Sequence, residues 1–386
     1  MKRIAALFLL VCLTLTACGG KDDAGPDGTT AADTTTGRSG ETTAVVPDVR
    51  EISLSDETRI TWYGRNIETD GAVYFDYTAS GFAVRFSGSR LEMTFTATEC
   101  TDPDQRVYLS VITDGGDFRD PMIVALDEAE KTVVLELEHG VHEVRVLRRS
   151  EARCSRSALT QITTDGTFLE APSRRERLIE FYGDSITCGY GNIAPTAWED
   201  FSTSTEDGMQ TYAYLTAEAL GAECSVVAKS GIPVNQTIWG KSETIRDLAT
   251  RASYYDDSAY EPKAQPDAVV IYGGVNDCSY LTGGGSTERA LRTAAFTEEY
   301  TALLTALRQL YPDARIVCCA GMYDETFYIE DAIRDAIAAC GDDRILYCEL
   351  PACEAEDGIG AGHPTVASHE KAAAVLTEVL KAALGW

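Results

Sequence analysis

A serine that follows an apolar strand could act as a nucleophile in the second half of this chain. Residues 178–182 predict a buried strand, and Gly183 and Gly189 mark the turn in which Ser185 lies. A hydroxyl at this place can be held clear of a sheet and surrounded by backbone N–H groups, so that it meets a carbonyl carbon. Ser185 is therefore a candidate nucleophile, although an Asp-Ser turn is also a common structural feature.

The next two predicted strands end in groups that can stabilise a developing negative charge. Gly231 follows the second strand, where a glycine lets the backbone approach a ligand and present its N–H group. Asn276 follows the third strand and can donate its side-chain amide. Together with the N–H group of Ser185, these groups predict an oxyanion hole. A turn glycine and an Asn-Asp turn are the structural alternatives.

Histidine is scarce, which narrows the choice of a general base. The chain has four histidines, and only His363 and His369 lie in the second half. His363 lies in a loop rich in glycine after the last predicted strand, from which it could reach over the strand ends. His369 opens the last predicted helix, where a histidine is more often structural. The sequence therefore favours His363 as the base that takes the proton from Ser185.

The elements that must position these residues alternate between strand and helix. Apolar strands are predicted at five places, and in the clearest helix the apolar residues recur on one face. The five strands are residues 178–182, 224–228, 268–272, 315–319 and 345–348. This pattern predicts an α/β domain over residues 175–386, with a parallel sheet covered by helices on both sides. Its active site is expected at the carboxyl ends of the strands, where all four signals fall.

The region before the predicted α/β domain shows the alternating apolar pattern of β-strands without helical segments. Short alternating runs at residues 72–77, 82–86, 91–95, 107–112, 131–137 and 142–147 predict strands, and turn residues such as Gly88 and Gly140 separate them. No helical stretch interrupts them. Residues 51–170 are therefore predicted to form an all-β sandwich, most simply a jelly roll.

The start of the chain predicts export. Lys2 and Arg3 precede an apolar run that is too short to span a membrane, and the run ends in Leu15-Thr-Ala-Cys18. This ending resembles the lipobox of bacterial lipoproteins, so residues 1–18 are expected to be a lipoprotein signal peptide with Cys18 lipidated. The alternative is an ordinary signal peptide. Residues 19–50 are poor in large apolar side chains and predict a flexible linker. We expect an exported bacterial lipoprotein that meets the membrane only through its lipid.

The formal net charge of −28 argues against binding to nucleic acid, because phosphates would be repelled.

Ten of the twelve cysteines remain after the signal peptide, and Cys100 and Cys154 are the only two in the β-domain, which makes them its natural pair. No cysteine or histidine spacing is typical of zinc. We therefore predict no metal, no cofactor and a monomer.

The four motifs together resemble those of the SGNH (GDSL-type) hydrolase superfamily: Gly183-Asp-Ser185, Gly231, Gly274-Val-Asn276-Asp277 and His363. The longer strings around Ser185 and His363, with Tyr63-Gly-Arg65 in a preceding β-domain, resemble carbohydrate esterase family two. That resemblance implies a jelly roll followed by an SGNH domain of flavodoxin-like, three-layer architecture. It also implies removal of acetyl groups from plant polysaccharides such as xylan or glucomannan through a serine acyl-enzyme.

The sequence departs from the superfamily at the third catalytic position. The superfamily has an aspartate three residues before its histidine, and Gly360 stands there. The resemblance to the esterase family implies a Ser–His dyad in which a backbone carbonyl orients the imidazole, while Asp357 is the alternative third member.

Aromatic residues in loops near the motifs are candidates to stack on sugar rings, or else simply pack at the rim. These are Trp239, Tyr190, Trp198 and Tyr280. Two other functions stay open. One is a lipase-like SGNH esterase that acts on other acyl esters, and the other is a non-catalytic lipoprotein that binds polysaccharide.

Overall fold

The computed structural model describes residues 48–323, 329–354 and 357–386. The predicted signal peptide over residues 1–18, with Cys18, and most of the predicted linker 19–50 lie outside these ranges. Within them, no helix combines the length and the apolar character needed to cross a bilayer.

The N-terminal half of the described chain is one antiparallel sheet of nine strands. The strands are β1 Ile60–Tyr63, β2 Ile67–Thr69, β3 Ala72–Tyr74, β4 Gly81–Ala97, β5 Tyr108–Thr113, β6 Met122–Ala125, β7 Glu130–Arg148, β8 Ser157–Thr164 and β9 Thr167–Phe168. They follow the order β2-β3-β8-β4-β7-β5-β6, and β1 and β9 also pair with β4. The sheet curls because β4 pairs with β7 along one side and with β1, β9 and β8 in turn along the other. The predicted all-β fold of this region is confirmed.

Two glycines that the sequence placed between strands lie inside strands instead. Gly88 on β4 is paired directly with Gly140 on β7, and the register shifts between Gly88 and Arg90. A Cβ atom at Gly88 would lie 2.5 Å from the Asp165 carboxylate and 3.2 Å from the Gly166 backbone nitrogen, so this close approach favours a glycine. The prediction of four short strands was therefore wrong here, because the glycines bend two long strands without ending them.

The C-terminal half is organised around a parallel sheet. The remaining strands are β10 Arg177–Gly183, β11 Ala222–Ala228, β12 Arg251–Ser253, β13 Asp256–Ala259, β14 Ala268–Tyr272, β15 Arg315–Gly321, β16 Ile345–Leu350, β17 Ile359–Gly360 and β18 His363–Pro364. Five of them pair in the order β11-β10-β14-β15-β16, all parallel, while β12 with β13 and β17 with β18 form two small antiparallel pairs. The predicted α/β class is confirmed.

Helices cover both faces of this sheet. They are α1 Ser185–Cys188, α2 Tyr212–Ala219, α3 Ile245–Ala249, α4 Val275–Thr282, α5 Ser286–Leu310, α6 Glu330–Cys340 and α7 Val366–Leu384. Helices α2 and α7 pack in one core with Phe181, whereas α3, α5 and α6 pack in another core with Tyr182. Successive residues of β10 thus enter opposite cores, which explains why the strands are apolar at nearly every position.

A buried arginine joins the β-domain to the parallel sheet. Arg65, just after β1, forms an ion pair with Glu180 on β10 and donates to the Tyr182 hydroxyl at 2.6 Å and the Ala249 carbonyl at 3.0 Å. Its guanidinium also lies 3.7 Å from the ring centre of Tyr260. Because a buried charge needs partners, these contacts fix the two sheets against each other.

The predicted Cys100–Cys154 pair is not bonded. Both cysteines carry free thiols, although their segments run side by side and the Thr98 N–H group donates to the Arg156 carbonyl at 3.1 Å.

Candidate active site

The turn after β10 presents Ser185 at the carboxyl end of the parallel sheet. β10 ends at Gly183, and the Asp184 side chain caps α1 by accepting from the Ile186 N–H group at 3.0 Å. A Cβ atom at Gly183 would lie 2.0 Å from the Thr187 hydroxyl oxygen, so only glycine allows this tight turn. Ser185 begins α1 and keeps 8% of its surface exposed.

A hairpin carries His363 back over the strand ends. The turn between β17 and β18 contains Ala361 with φ +48° and Gly362 with φ +76°, and both values are left-handed. The Ala361 N–H group donates to the Thr196 carbonyl at 2.8 Å, which ties this turn to the loop after α1. The two loops therefore hold His363 beside Ser185.

Ser185 and His363 are in hydrogen-bond contact. The Ser185 Oγ atom lies 2.8 Å from His363 Nε2, and His363 Nδ1 lies 3.2 Å from the Ala361 carbonyl oxygen. A donor at Nδ1 leaves Nε2 as the acceptor for the serine proton. Burial lowers the pKa of His363, and the Ala361 carbonyl opposes this shift. The imidazole is therefore neutral and able to act as a base near neutral pH.

Asp357 does not orient this histidine. Its carboxylate accepts from Lys371 Nζ at 3.0 Å and from the Glu354 N–H group at 3.2 Å. Gly360, where the superfamily has its aspartate, has no room for one, because a Cβ atom there would lie 2.2 Å from the Gly191 carbonyl oxygen. In the described residues the contact at His363 Nδ1 is a backbone carbonyl.

Gly231 and Asn276 lie on the two loops beside Ser185. Gly231 follows β11 with φ +78°, and a Cβ atom there would meet nothing within 4 Å, so its conformation rather than its space favours glycine. Asn276, in the first turn of α4, donates its amide to the Ile232 carbonyl at 3.0 Å and lies 3.5 Å from Asp184 Oδ2. The Asn276 amide thus links the Gly231 loop to the turn that carries Ser185.

Asp277 holds the far end of the Gly231 loop. Its carboxylate accepts from three consecutive N–H groups, those of Val234 and Asn235 at 2.8 Å and that of Gln236 at 2.9 Å. Burial raises the pKa of Asp277 to about 6, while these three bonds act in the opposite direction. Burial likewise raises the pKa of Asp184 to about 7, with the charge of Asp277 adding to the effect.

The four aromatic candidates have different surroundings. Tyr190 stacks between His363, at 4.1 Å between ring centres, and Phe201, at 4.5 Å, so neither of its faces is free for a sugar. The Arg292 guanidinium lies 4.3 Å from the ring centre of Tyr280. Trp198 and Trp239 are 93% and 88% exposed, which leaves them available to a ligand.

Sequence reasoning missed three residues that shape the site. Phe201 supports Tyr190, and the Tyr323 hydroxyl donates to the Gly362 carbonyl in the His363 turn. Glu151, from the β-domain, accepts from the Ser230 N–H group at 2.9 Å. No local motif marks any of them, because each acts through a contact between distant segments. Across the described ranges, no group of three or more His, Cys, Asp or Glu side chains could hold a metal ion.

A three-layer α/β sheet with a serine–histidine pair at its strand ends defines a serine hydrolase. Comparison with known families agrees. Residues 181–371 match the GDSL-like lipase/acylhydrolase family, and residues 62–172 match the carbohydrate esterase 2 N-terminal domain.

Curated relatives and solved structures point to the same family. The chain is 31% identical over 327 residues to cellulase/esterase CelE of Acetivibrio thermocellus, covering 81% of this chain but 39% of CelE. It is 28% identical to an acetylxylan esterase / glucomannan deacetylase of Cellvibrio japonicus, covering 89% of this chain and 94% of that relative. The structure of a family two carbohydrate esterase from Cellvibrio japonicus superposes with a TM-score of 0.76 at 27% identity, covering 87% of this chain and 98% of that one.

Residues 181–371 form a GDSL-like lipase/acylhydrolase domain behind a carbohydrate esterase 2 N-terminal domain, which is the two-domain architecture of family two carbohydrate esterases. The resemblance on which the sequence analysis relied is thereby confirmed. The chain spans about two fifths of the length of CelE, the first of these relatives.

Proposed function

We propose that this protein is a carbohydrate O-acetyl esterase that removes acetyl groups from plant polysaccharides such as xylan or glucomannan. The observation that carries the proposal is the 2.8 Å contact between Ser185 Oγ and His363 Nε2 at the carboxyl ends of the sheet strands. The relative named acetylxylan esterase / glucomannan deacetylase matches 89% of this chain, which supports the choice of substrate.

Catalysis proceeds by acyl transfer in two steps. His363 Nε2 takes the hydroxyl proton as Ser185 Oγ bonds to the acetyl carbonyl carbon, and the carbonyl electrons move onto oxygen. Collapse of this intermediate breaks the bond to the sugar oxygen, which leaves with the proton from His363. Water then attacks the acetyl-enzyme with His363 again as the base, and acetate leaves as the serine hydroxyl reforms.

The N–H groups of Ser185 and Gly231 and the amide of Asn276 stabilise the oxyanion. The 3.5 Å contact between Asn276 and Asp184 is long for a hydrogen bond, so an incoming oxyanion can replace it with a shorter one. Losing one such donor is expected to lower kcat by about 10²–10³-fold.

A serine–histidine dyad suffices for this chemistry. The Ala361 carbonyl at His363 Nδ1 fixes the tautomer and the ring orientation, which is the main task of a third residue. Tyr190 packs against the same ring and limits its rotation.

The exposed rings of Trp198 and Trp239 provide the surface on which a polysaccharide can stack. A structural neighbour, a family two carbohydrate esterase from Clostridium thermocellum, was solved in complex with cellohexaose. It is 28% identical with a TM-score of 0.76, covering 85% of this chain and 99% of that one. A β-linked glucan or mannan backbone is therefore a reasonable ligand class for the exposed rim.

Acetate release from acetylated xylan, acetylated glucomannan and a short-chain reporter ester tests the proposal. Wild-type protein is expected to release acetate, and Ser185→Ala is expected to abolish release while melting at a similar temperature. Equal release by both proteins would remove the serine esterase proposal, and no release by the wild type would leave a binding lipoprotein. A strong preference for long acyl chains over acetyl would instead support the lipase-like alternative.

The proposal includes export and anchoring through lipidated Cys18, which rest on the sequence of residues 1–18 alone. Metabolic labelling with a fatty acid, compared between wild type and Cys18→Ser, tests this part separately. Absence of label in the wild type would favour an ordinary signal peptide.

A further inference from the structure

The Gly231 loop receives one of its hydrogen bonds from the other domain. Glu151 follows β7 in the β-domain, and its Oε2 atom accepts from the Ser230 N–H group at 2.9 Å. Ser230 immediately precedes Gly231, so this bond fixes the peptide plane adjacent to the one that presents the Gly231 N–H group. Asp277 holds the other end of the same loop through three N–H groups.

Glu151 is itself held in one position. It is fully buried, and its Oε1 atom accepts from Arg153 Nε at 3.2 Å. Its backbone carbonyl accepts from the buried Arg148 guanidinium at 2.7 Å, and its N–H group donates to Glu206 Oε2 at 3.0 Å. Because both its backbone and its side chain are held by hydrogen bonds, Glu151 has little freedom and can fix the position of Ser230.

A second buried carboxyl lies against Glu151. Burial, and then the neighbouring Glu151, raise the pKa of Glu206 well above its usual range. Burial beside Glu151 thus favours the neutral form of Glu206. The two carboxyl oxygens of Glu151 face Arg153 and the Ser230 N–H group, so this buried polar group has hydrogen-bond donors.

The same segment also supports the base. The Arg153 guanidinium lies 4.7 Å from the ring centre of Phe201, which stacks on Tyr190, which in turn stacks on His363. Residues 148–153 thus contact both the oxyanion loop and the stack behind the imidazole.

We propose that Glu151 is a positioning residue through which the β-domain holds the Gly231 N–H group in place to receive the oxyanion. This inference rests on the esterase function proposed above. It assigns the β-domain a part in the reaction, because Glu151 provides a hydrogen bond from that domain to the Gly231 loop. The positioning role requires a side-chain oxygen of Glu151 at the Ser230 N–H group. The negative charge of that side chain is secondary.

Three substitutions at Glu151 test separately whether the side chain must be long enough to reach Ser230 and whether it must be charged. Glu151→Gln keeps an oxygen at the same distance but removes the charge. Glu151→Asp keeps the charge but is one methylene too short to reach Ser230, and Glu151→Ala removes both. Tyr255→Phe is the matched control, because the Tyr255 hydroxyl binds the same segment at the Ala152 carbonyl, at 2.7 Å, without contacting the oxyanion loop.

The assay measures kcat and KM on p-nitrophenyl acetate and the inhibition constant of phenylboronic acid, whose tetrahedral serine adduct resembles the transition state. Glu151→Asp and Glu151→Ala are expected to lower kcat by about 10–100-fold at nearly constant KM, and to weaken the boronate by a similar factor. Glu151→Gln is expected to stay within about threefold of wild type, and Tyr255→Phe within about twofold.

Full kcat in Glu151→Asp and a loss in Glu151→Gln would overturn the proposal in favour of a purely electrostatic role. A rise in KM at constant kcat would also overturn it, as would wild-type kinetics in Glu151→Ala. Should Glu151→Ala fail to fold, the Asp and Gln variants decide. Ser185→Ala is measured beside them, so that equal activity in wild type and Ser185→Ala reports failure of the esterase function itself.

Discussion

Replacing Asp357 with asparagine should leave catalysis almost intact. In a Ser-His-Asp triad, the same change lowers kcat by about 10⁴-fold, which corresponds to about 5.4 kcal/mol of transition-state stabilisation. Here the Asp357 carboxylate binds Lys371 and the Glu354 N–H group, and the Ala361 carbonyl lies at His363 Nδ1. Asp357→Asn removes an ion pair remote from the ring, so kcat/KM should stay within about threefold of wild type.

The backbone carbonyl at His363 Nδ1 determines how much less the imidazolium is stabilised here than in a Ser-His-Asp triad. An adjacent carboxylate favours the imidazolium through its opposite charge by roughly 1–2 kcal/mol, and a neutral carbonyl lacks this contribution. That difference is about five- to thirtyfold in rate, far below the cost of breaking a triad. The proposed dyad lacks this stabilisation of the imidazolium in the wild type. The Asp357→Asn substitution therefore has none of it to remove.

The assay is steady-state hydrolysis of a reporter acetate ester by wild type, Asp357→Asn and Lys371→Met. Lys371→Met removes the partner of Asp357 but keeps the carboxylate, which makes it the matched control. A loss of more than about a hundredfold in Asp357→Asn, with Lys371→Met active and both variants folded, would refute the dyad and assign the carboxylate a direct part.

Three further results are expected. Arg65→Met should lower the free energy of unfolding by about 3–5 kcal/mol in urea denaturation, because it leaves Glu180 buried without its charge partner, and Arg65→Met with Glu180→Leu should recover much of the loss. The pH profile of kcat/KM should rise through an apparent pKa below the usual 6.5 of histidine, since burial lowers the pKa of His363 and only its neutral form is a base; a midpoint above 6.5 would contradict this. Trp198→Ala and Trp239→Ala should raise KM for acetylated polysaccharide and leave the small reporter ester unaffected; an equal effect on both substrates would argue against stacking.

The α/β sheet could be predicted from sequence because its signals are local. The three central parallel strands are buried on both faces and read as largely apolar runs, and all five predicted strands lie within observed ones. The long ribbon of β4 and β7 could not be predicted in the same way. Gly88 and Gly140 resemble strand breaks in sequence, and only their pairing with each other shows that the ladder continues through them.

The residues of the candidate site also divide into those that sequence signals predict and those that they do not. Ser185, Gly231 and Asn276 each follow a parallel strand, and strand ends of a parallel sheet meet at one edge, so their proximity follows from topology. His363 lies in the hairpin that comes after the last parallel strand. Glu151 carries no such signal, because the local sequence after a β-strand does not indicate which loop of another domain a residue will contact.

The absence of an aspartate before His363 has a steric cause, which supports the proposed dyad. At Gly360 the backbone passes so close to Gly191 that a Cβ atom would lie 2.2 Å from the Gly191 carbonyl oxygen. A Cβ atom at Gly191 would in turn lie 2.7 Å from the Gly360 carbonyl oxygen, so the two glycines require each other. This backbone contact joins the loop of the nucleophile to the loop of the base, and an aspartate at Gly360 would separate the two loops. The chain thus holds Ser185 and His363 together by the same close approach that excludes a third side chain, and the orienting group has to come from the backbone at Ala361.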